Sequence, residues 1–190
     1  RLEAYLTQYE NGTHVGEAYF YLAACLNDAG DGAGALLAYE KILALPPSEF
    51  TEAAALGAAT LAWNTGDFPR ALGHYRLLSE VATLKTNKLE ASIGSMRCYY
   101  LLDQPDKAFS FANEVYTNED TPESIRRTAA IWLGRINYDS GELDRANELF
   151  TSTVTFGGNI GAESQYMISK IHFDKGEYSE AEQGVFTLVG

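Results

Sequence analysis

Cysteine and histidine are scarce, at two and three among 190 residues. His14, His74 and His172 lie far apart, and neither an H-x-x-x-H nor a C-x-x-C spacing occurs. The chain therefore lacks the ligand patterns of transition-metal sites. Basic residues are also few, 14 against 26 acidic ones, for a net charge of −12. An acidic surface of that size argues against nucleic acid and anionic lipid as partners. No apolar run reaches the length that crosses a bilayer, so no membrane-spanning segment is expected. No G-x-S-x-G nucleophile elbow is present, and no stretch alternates apolar and polar residues as a half-buried strand would. Gly157-Gly158-Asn159-Ile160-Gly161 is glycine-rich but lacks the Lys-Ser/Thr of a phosphate loop, so it reads as a flexible linker. Asn27-Asp28-Ala29-Gly30-Asp31-Gly32 lacks the closing Glu of a calcium loop. Asn11-Gly12-Thr13 matches a glycosylation sequon, but such short matches are frequent by chance and it reads as a turn. Cys25 and Cys98 are expected as two separate buried thiols, since free cysteine behaves as a small apolar side chain. No catalytic residue, metal site or cofactor site is assigned.

What the chain does have is enough apolar residue for a core and a repeat. Hydrophobic residues make up 46% and aromatics 12%, ordinary globular values that exclude a disordered chain. A short pattern of Gly, acid, two variable residues, a polar residue and Ala recurs. It appears as Gly66-Asp67-Phe68-Pro69-Arg70-Ala71, as Gly141-Glu142-Leu143-Asp144-Arg145-Ala146 and as Gly176-Glu177-Tyr178-Ser179-Glu180-Ala181. Gly30-Asp31-Gly32-Ala33-Gly34-Ala35 is a degenerate copy, and Asp103-Gln104-Pro105-Asp106-Lys107-Ala108 keeps the frame without the glycine. The five alanines are 36, 37, 38 and 35 residues apart. A near-constant period of this length marks a repeat architecture.

Each copy stands between two apolar-periodic segments of helical length. Tyr19, Leu22, Ala23 and Leu26 share one face ahead of the first copy; Ala35, Tyr39, Ile42 and Leu43 share one after it. The glycine supplies a positive φ that ends the first helix, and the acid favours the start of the second. Pro46-Pro47 halts the second helix. The unit is an antiparallel helix pair.

These residues resemble the tetratricopeptide repeat (TPR) family. Tyr19, Leu22, Ala23, Ala35, Tyr39 and Pro47 occupy the family's helix-A, helix-B and exit positions. The second unit supplies Ala59, Gly66, Ala71 and Tyr75, and the fourth Leu133, Gly134, Gly141, Ala146 and Phe150. The third departs most, with Ser92, Ser95 and Met96 on helix A and Ala112 at the aromatic position. The period exceeds the usual 34 by one to four residues, so slightly long loops between units are expected. The resemblance implies an all-α, right-handed superhelical solenoid of about five antiparallel helix pairs. These span 16–47, 51–84, 88–118, 121–156 and 161–189, in one domain over 1–190. Leu2, Tyr5, Leu6 and Tyr9 form a stripe that reads as an orphan helix ahead of the first pair. Neither end resembles a polar cap, so the chain is read as part of a longer array with an apolar terminal face and self-association through uncapped ends.

In this family the A helices line a concave groove that grips peptides. Projected onto this chain, that face carries Phe20, Leu56, Ile93, Ile131 and Tyr166 in one register. Arg97, Arg135 and Lys170 follow in the next, and Trp63, Tyr100, Tyr138 and Phe173 in the third. Arg and aromatic side chains combine contact area with a polar handle. Two readings stand: the rings fill the inside of the curve while the cations pair with Glu90, Asp139 or Asp174, or the stripe docks a carboxylate-bearing or aromatic-rich peptide. Phe20 and Ala24 stand where chaperone-clamping relatives use Lys and Asn, which removes that specificity. The expected function is a non-catalytic protein–protein interaction module holding a peptide or partner subunit. A self-stacking spacer and the sensory half of a larger regulator are the alternatives. The style of the units is similar to bacterial arrays attached to the cell envelope, which slightly favours the envelope or periplasm over the cytoplasm.

Overall fold

A computed structural model describes residues 2–9 and 12–189, without the side chains of Glu3 and Val189. Asn11 of the sequon match lies outside the described residues. All regular structure among the described residues is α-helical. The chain divides into two compact units, residues 1–103 and 104–190. The first contains α1 (Leu2–Gln8), α2 (Val15–Asp28), α3 (Gly32–Leu43), α4 (Thr51–Asn64), α5 (Phe68–Val81) and α6 (Lys85–Leu101). The second contains α7 (Pro105–Thr117), α8 (Glu123–Asp139), α9 (Leu143–Val154), α10 (Gly158–Asp174) and α11 (Tyr178–Val189). Within each unit every helix packs on the one before it; α4 also touches α6, and α8 touches α10. Within each unit the helices stack in chain order.

The turns inside the pairs follow one rule. Gly30, Gly66, Gly141 and Gly176 all take φ between 77° and 83°. That left-handed residue lets the next amide reach back to a carbonyl in the last turn, as Asp67 N–H does to Ala62 O at 3.0 Å. Where that acid is Asp it caps the following helix: Asp31 accepts from Gly34 N–H at 2.8 Å and Asp67 from Arg70 N–H at 3.2 Å, whereas Glu142 makes no such bond. In the copy without glycine, Asp103 takes the left-handed conformation itself, with φ 56°.

Small residues set how closely the helices pack. Helix α4 buries Ala54, Ala55, Ala58, Ala59 and Ala62, because α3 and α5 flank it on both sides. The aromatic rings of the second helices occupy space that only glycine leaves open. A Cβ on Gly57 would stand 2.5 Å from the Tyr39 ring, and one on Gly94 would overlap the Tyr75 ring. Burial also pushes the Tyr75 phenol up to about 12. In the second unit Phe150 presses on Gly134 in the same way.

Three expectations need revision. The longer period goes partly into loops, with residues 44–50 between α3 and α4, and partly into helices: α6, α8 and α10 have 17 residues each where α2 and α4 have 14. Gly157-Gly158-Asn159-Ile160-Gly161 is not a linker, because α10 begins at Gly158. Gly161 is buried there, and a Cβ on it would meet Val154 O at 2.7 Å, so the glycine serves close packing on the end of α9. Finally, Cys98 is buried as expected, but Cys25 is exposed. Cys25 lies off the stripe of α2 that faces its neighbours.

A candidate interaction face on the second unit

Within the first unit, the projected stripe is largely packing. Phe20 lies among the Tyr39 and Phe50 rings, with centroids 6.3 and 5.2 Å away. Leu56 and Trp63 are half-buried against the alanine core, and the Trp63 and Phe68 rings are 5.2 Å apart. Ile93 is buried. Arg97 and Tyr100 are half-buried.

Two carboxylates tie successive repeats of this unit together. Glu40 on α3 takes both edges of the Arg70 guanidinium, at 2.7 and 2.5 Å, and lies 2.9 Å from His74 Nε2. The hydrogen bond from Arg70 is the main cause that holds the Glu40 carboxyl below its ordinary range. Glu52 on α4 accepts from Thr83 N–H and its hydroxyl, Leu84 N–H and Asn87 Nδ2, binding the α5–α6 connection. Those donors, Thr83 N–H first, lower its pKa to about 2.

In the second unit the same stripe is both tied and open. Ile131 is buried. Arg135 on α8 donates Nε–H to Glu163 Oε1 of α10 at 2.7 Å, and its guanidinium lies 4.5 Å from the Trp132 ring centroid. The cation therefore pairs with Glu163, an acid outside the three named from the sequence. The Tyr138 hydroxyl donates to Asp174, and Lys170 Nζ sits 4.7 Å from the Tyr138 ring centroid. The bond to Asp174 raises the Tyr138 pKa, and the bond to Tyr138 raises that of Lys170. Beyond these ties the stripe opens outward: Tyr166 is 54% and Phe173 60% exposed, and Lys170 is exposed too.

The open face continues from α10 onto α11. Tyr178, Val185 and Phe186 are exposed there and, with Tyr166, Lys170 and Phe173, line an open cleft of about 650 Å³. The apolar stripe of α11 was readable in the sequence; its meeting with the aromatics of α10 was not. Tyr166, Phe173, Tyr178, Val185 and Phe186 thus form an exposed apolar concentration of the kind that marks an interaction site. Among the described residues no cluster of three or more His, Cys, Asp or Glu could hold a metal, and no helix is long and apolar enough to cross a membrane. The histidines have separate carboxylate partners: Glu17 for His14, Glu40 for His74 and Glu177 for His172.

No known family model matches this sequence, and no curated protein matches it. Solved structures do. A MamA protein structure matches with TM-score 0.76 at 18% identity, covering 94% of this chain and 92% of that one. YrrB, described as a TPR protein with an unusual peptide-binding site, matches with TM-score 0.69 at 19% identity over 100% of this chain and 92% of its own. A tetratricopeptide repeat protein from Parabacteroides merdae matches with TM-score 0.72 at 15% identity, covering 99% and 70%. The helix pairs, the left-handed turns and these likenesses agree: the chain has the tetratricopeptide-repeat fold.

Proposed function

We propose that the protein is a non-catalytic interaction module that holds a peptide or partner subunit on the exposed face of its A helices. The observation that carries this reading is the solvent exposure of Tyr166, Lys170 and Phe173 on one stripe with Arg135 and Tyr138, which are tied to Glu163 and Asp174. Exposed rings cost free energy in water unless something covers them, and a cation among them selects a carboxylate. The ligand class is an extended peptide bearing a carboxylate and an aromatic side chain. Similarity in fold to YrrB, whose structure is described as having a peptide-binding site, supports the class without specifying the sequence.

The test is selection from a displayed peptide library. Enriched peptides should carry Asp or Glu near an aromatic residue and bind in solution. Lys170→Glu should weaken them at least tenfold, and Arg97→Glu should weaken any peptide that uses the first unit. A library that yields no binder, or binders indifferent to both reversals, removes the reading.

A further inference from the structure

We infer that the cleft between α7, α8 and α9 binds a phosphate group, free or as a monoester, among Arg126, Arg127 and Tyr116. The site shares no residue with the A-helix stripe, so the inference goes beyond the interaction-module reading and does not depend on it.

The argument starts from the repeat frame. Glu52 stands nineteen residues ahead of Ala71, and Arg127 nineteen ahead of Ala146. Each reaches the connection that follows the next helix. Glu52 accepts from the Thr83 and Leu84 amides, and the Arg127 guanidinium lies 3.3 Å from the centroid of the Phe156 ring. Thr83 and Phe156 stand in turn twenty-five residues ahead of Ala108 and Ala181. The two corners are therefore equivalent, but their charge is reversed. In the first unit a carboxylate sits among donors from Thr83, Leu84 and Asn87. In the second a cation replaces that carboxylate, and Arg126 adds another beside it.

The second corner is short of negative charge. Arg126 is half-buried and makes no hydrogen bond or ion pair among the described residues; Glu123 acts on it only at longer range. Glu123 holds one end of Arg127, Nη2, at 2.5 Å, while Arg127 Nε is buried without an acceptor. The Tyr116 hydroxyl also has no hydrogen bond among the described residues. With Ser152 and Phe156, these side chains line an open cleft of about 440 Å³. Glu119, the acid of the lining, is exposed and makes no ion pair among the described residues, so it stays solvated. A guanidinium partly withdrawn from water with no acid on it is a state that an incoming anion relieves.

The arrangement of donors selects the anion. Arg126 and Arg127 approach from α8 and Tyr116 from α7. A planar carboxylate is served by a single guanidinium, as Glu123 is by Arg127. A phosphate monoester offers acceptor oxygens on several sides and carries about −1.5 to −2 charges near pH 7, which suits two cations and a hydroxyl.

The experiment titrates inorganic phosphate, a phosphoserine peptide with Ala and Gly flanks, and acetate into the isotope-labelled intact chain at constant ionic strength. It follows the Nε–H resonances of Arg126 and Arg127 together with the heat of binding. Saturable phosphate binding that shifts both resonances is expected. Arg126→Gln should weaken it at least tenfold, and Arg126→Lys, which keeps the charge and loses the fork, should fall between the two. Tyr116→Phe should weaken it at least threefold, and it decides the matter if Arg126→Gln loses native helicity, since it removes only a hydroxyl. Tighter binding of the peptide than of inorganic phosphate upholds the inference with a phosphorylated chain as the source; equal or weaker binding upholds it with free phosphate. Shifts no larger than those caused by chloride overturn it. So does binding that survives both Arg126→Gln and Tyr116→Phe unchanged, or acetate binding as tight as that of phosphate.

Discussion

The buried ring of Phe150 lies 2.7 Å from the point where a Cβ on Gly134 would stand. The ring has no exposed path along which to retreat, so Gly134→Ala forces overpacking that costs about 1–3 kcal/mol. Gly73 on α5 has nothing within 4 Å of the same point. There Gly→Ala should stabilise by about 1 kcal/mol through helix propensity alone. Urea midpoints of the two variants should therefore move in opposite directions.

Asp103 occupies a left-handed turn that glycine fills in four other repeats. A residue with a Cβ is disfavoured there by about 1 kcal/mol. Asp103→Gly should raise the unfolding midpoint by a matching amount, and Asp103→Val should lower it. Equal stability of all three proteins would show that the turn is not strained.

Glu52 makes stability depend on pH at the acid end. Its carboxyl has an ordinary value of 4.5 and lies at about 2 when its Thr83, Asn87 and Leu84 donors are in place. A depressed pKa means that the unfolded chain takes up the proton first. The contribution is thus complete above about pH 4.5 and disappears as pH falls towards 2. Melting temperatures of the native protein and of Glu52→Gln should be well separated at pH 7 and converge on acidification.

The two thiols should behave differently. Cys98 is buried among the alanines, and that burial raises its pKa to about 11. A thiol so protonated is a poor nucleophile. Cys25 is exposed on α2. A colorimetric thiol reagent at pH 8 should titrate one group in the folded protein and two after denaturation, and Cys25→Ser should abolish the fast reaction.

The helices, their order and their turns were legible in the sequence because each rests on local rules. Gly-acid dipeptides fix the turn, apolar spacing of three and four fixes the helix, and the recurring alanine fixes the frame. Even the exception was legible, since Asp103 keeps its place in the frame without glycine. The packing partners were not. Nothing local states that Gly57 answers Tyr39, a residue 18 positions earlier, or that Arg135 answers Glu163. The same limit misplaced Gly161, which reads as a loop residue by composition and proves to be a contact with Val154 O.

By itself the sequence determined that this protein is an array of helices with a left-handed turn recurring at a near-constant period. Backbone conformation and apolar periodicity are properties of neighbouring residues. Only the tertiary structure decided which members of the aromatic and basic stripe were spent on packing and which were left to solvent. Ile93 and Ile131 went into the core, Arg135 was engaged by Glu163, and Tyr166, Lys170 and Phe173 stayed open beside α11. Burial is a property of what stands opposite a side chain, and what stands opposite comes from another turn of the repeat.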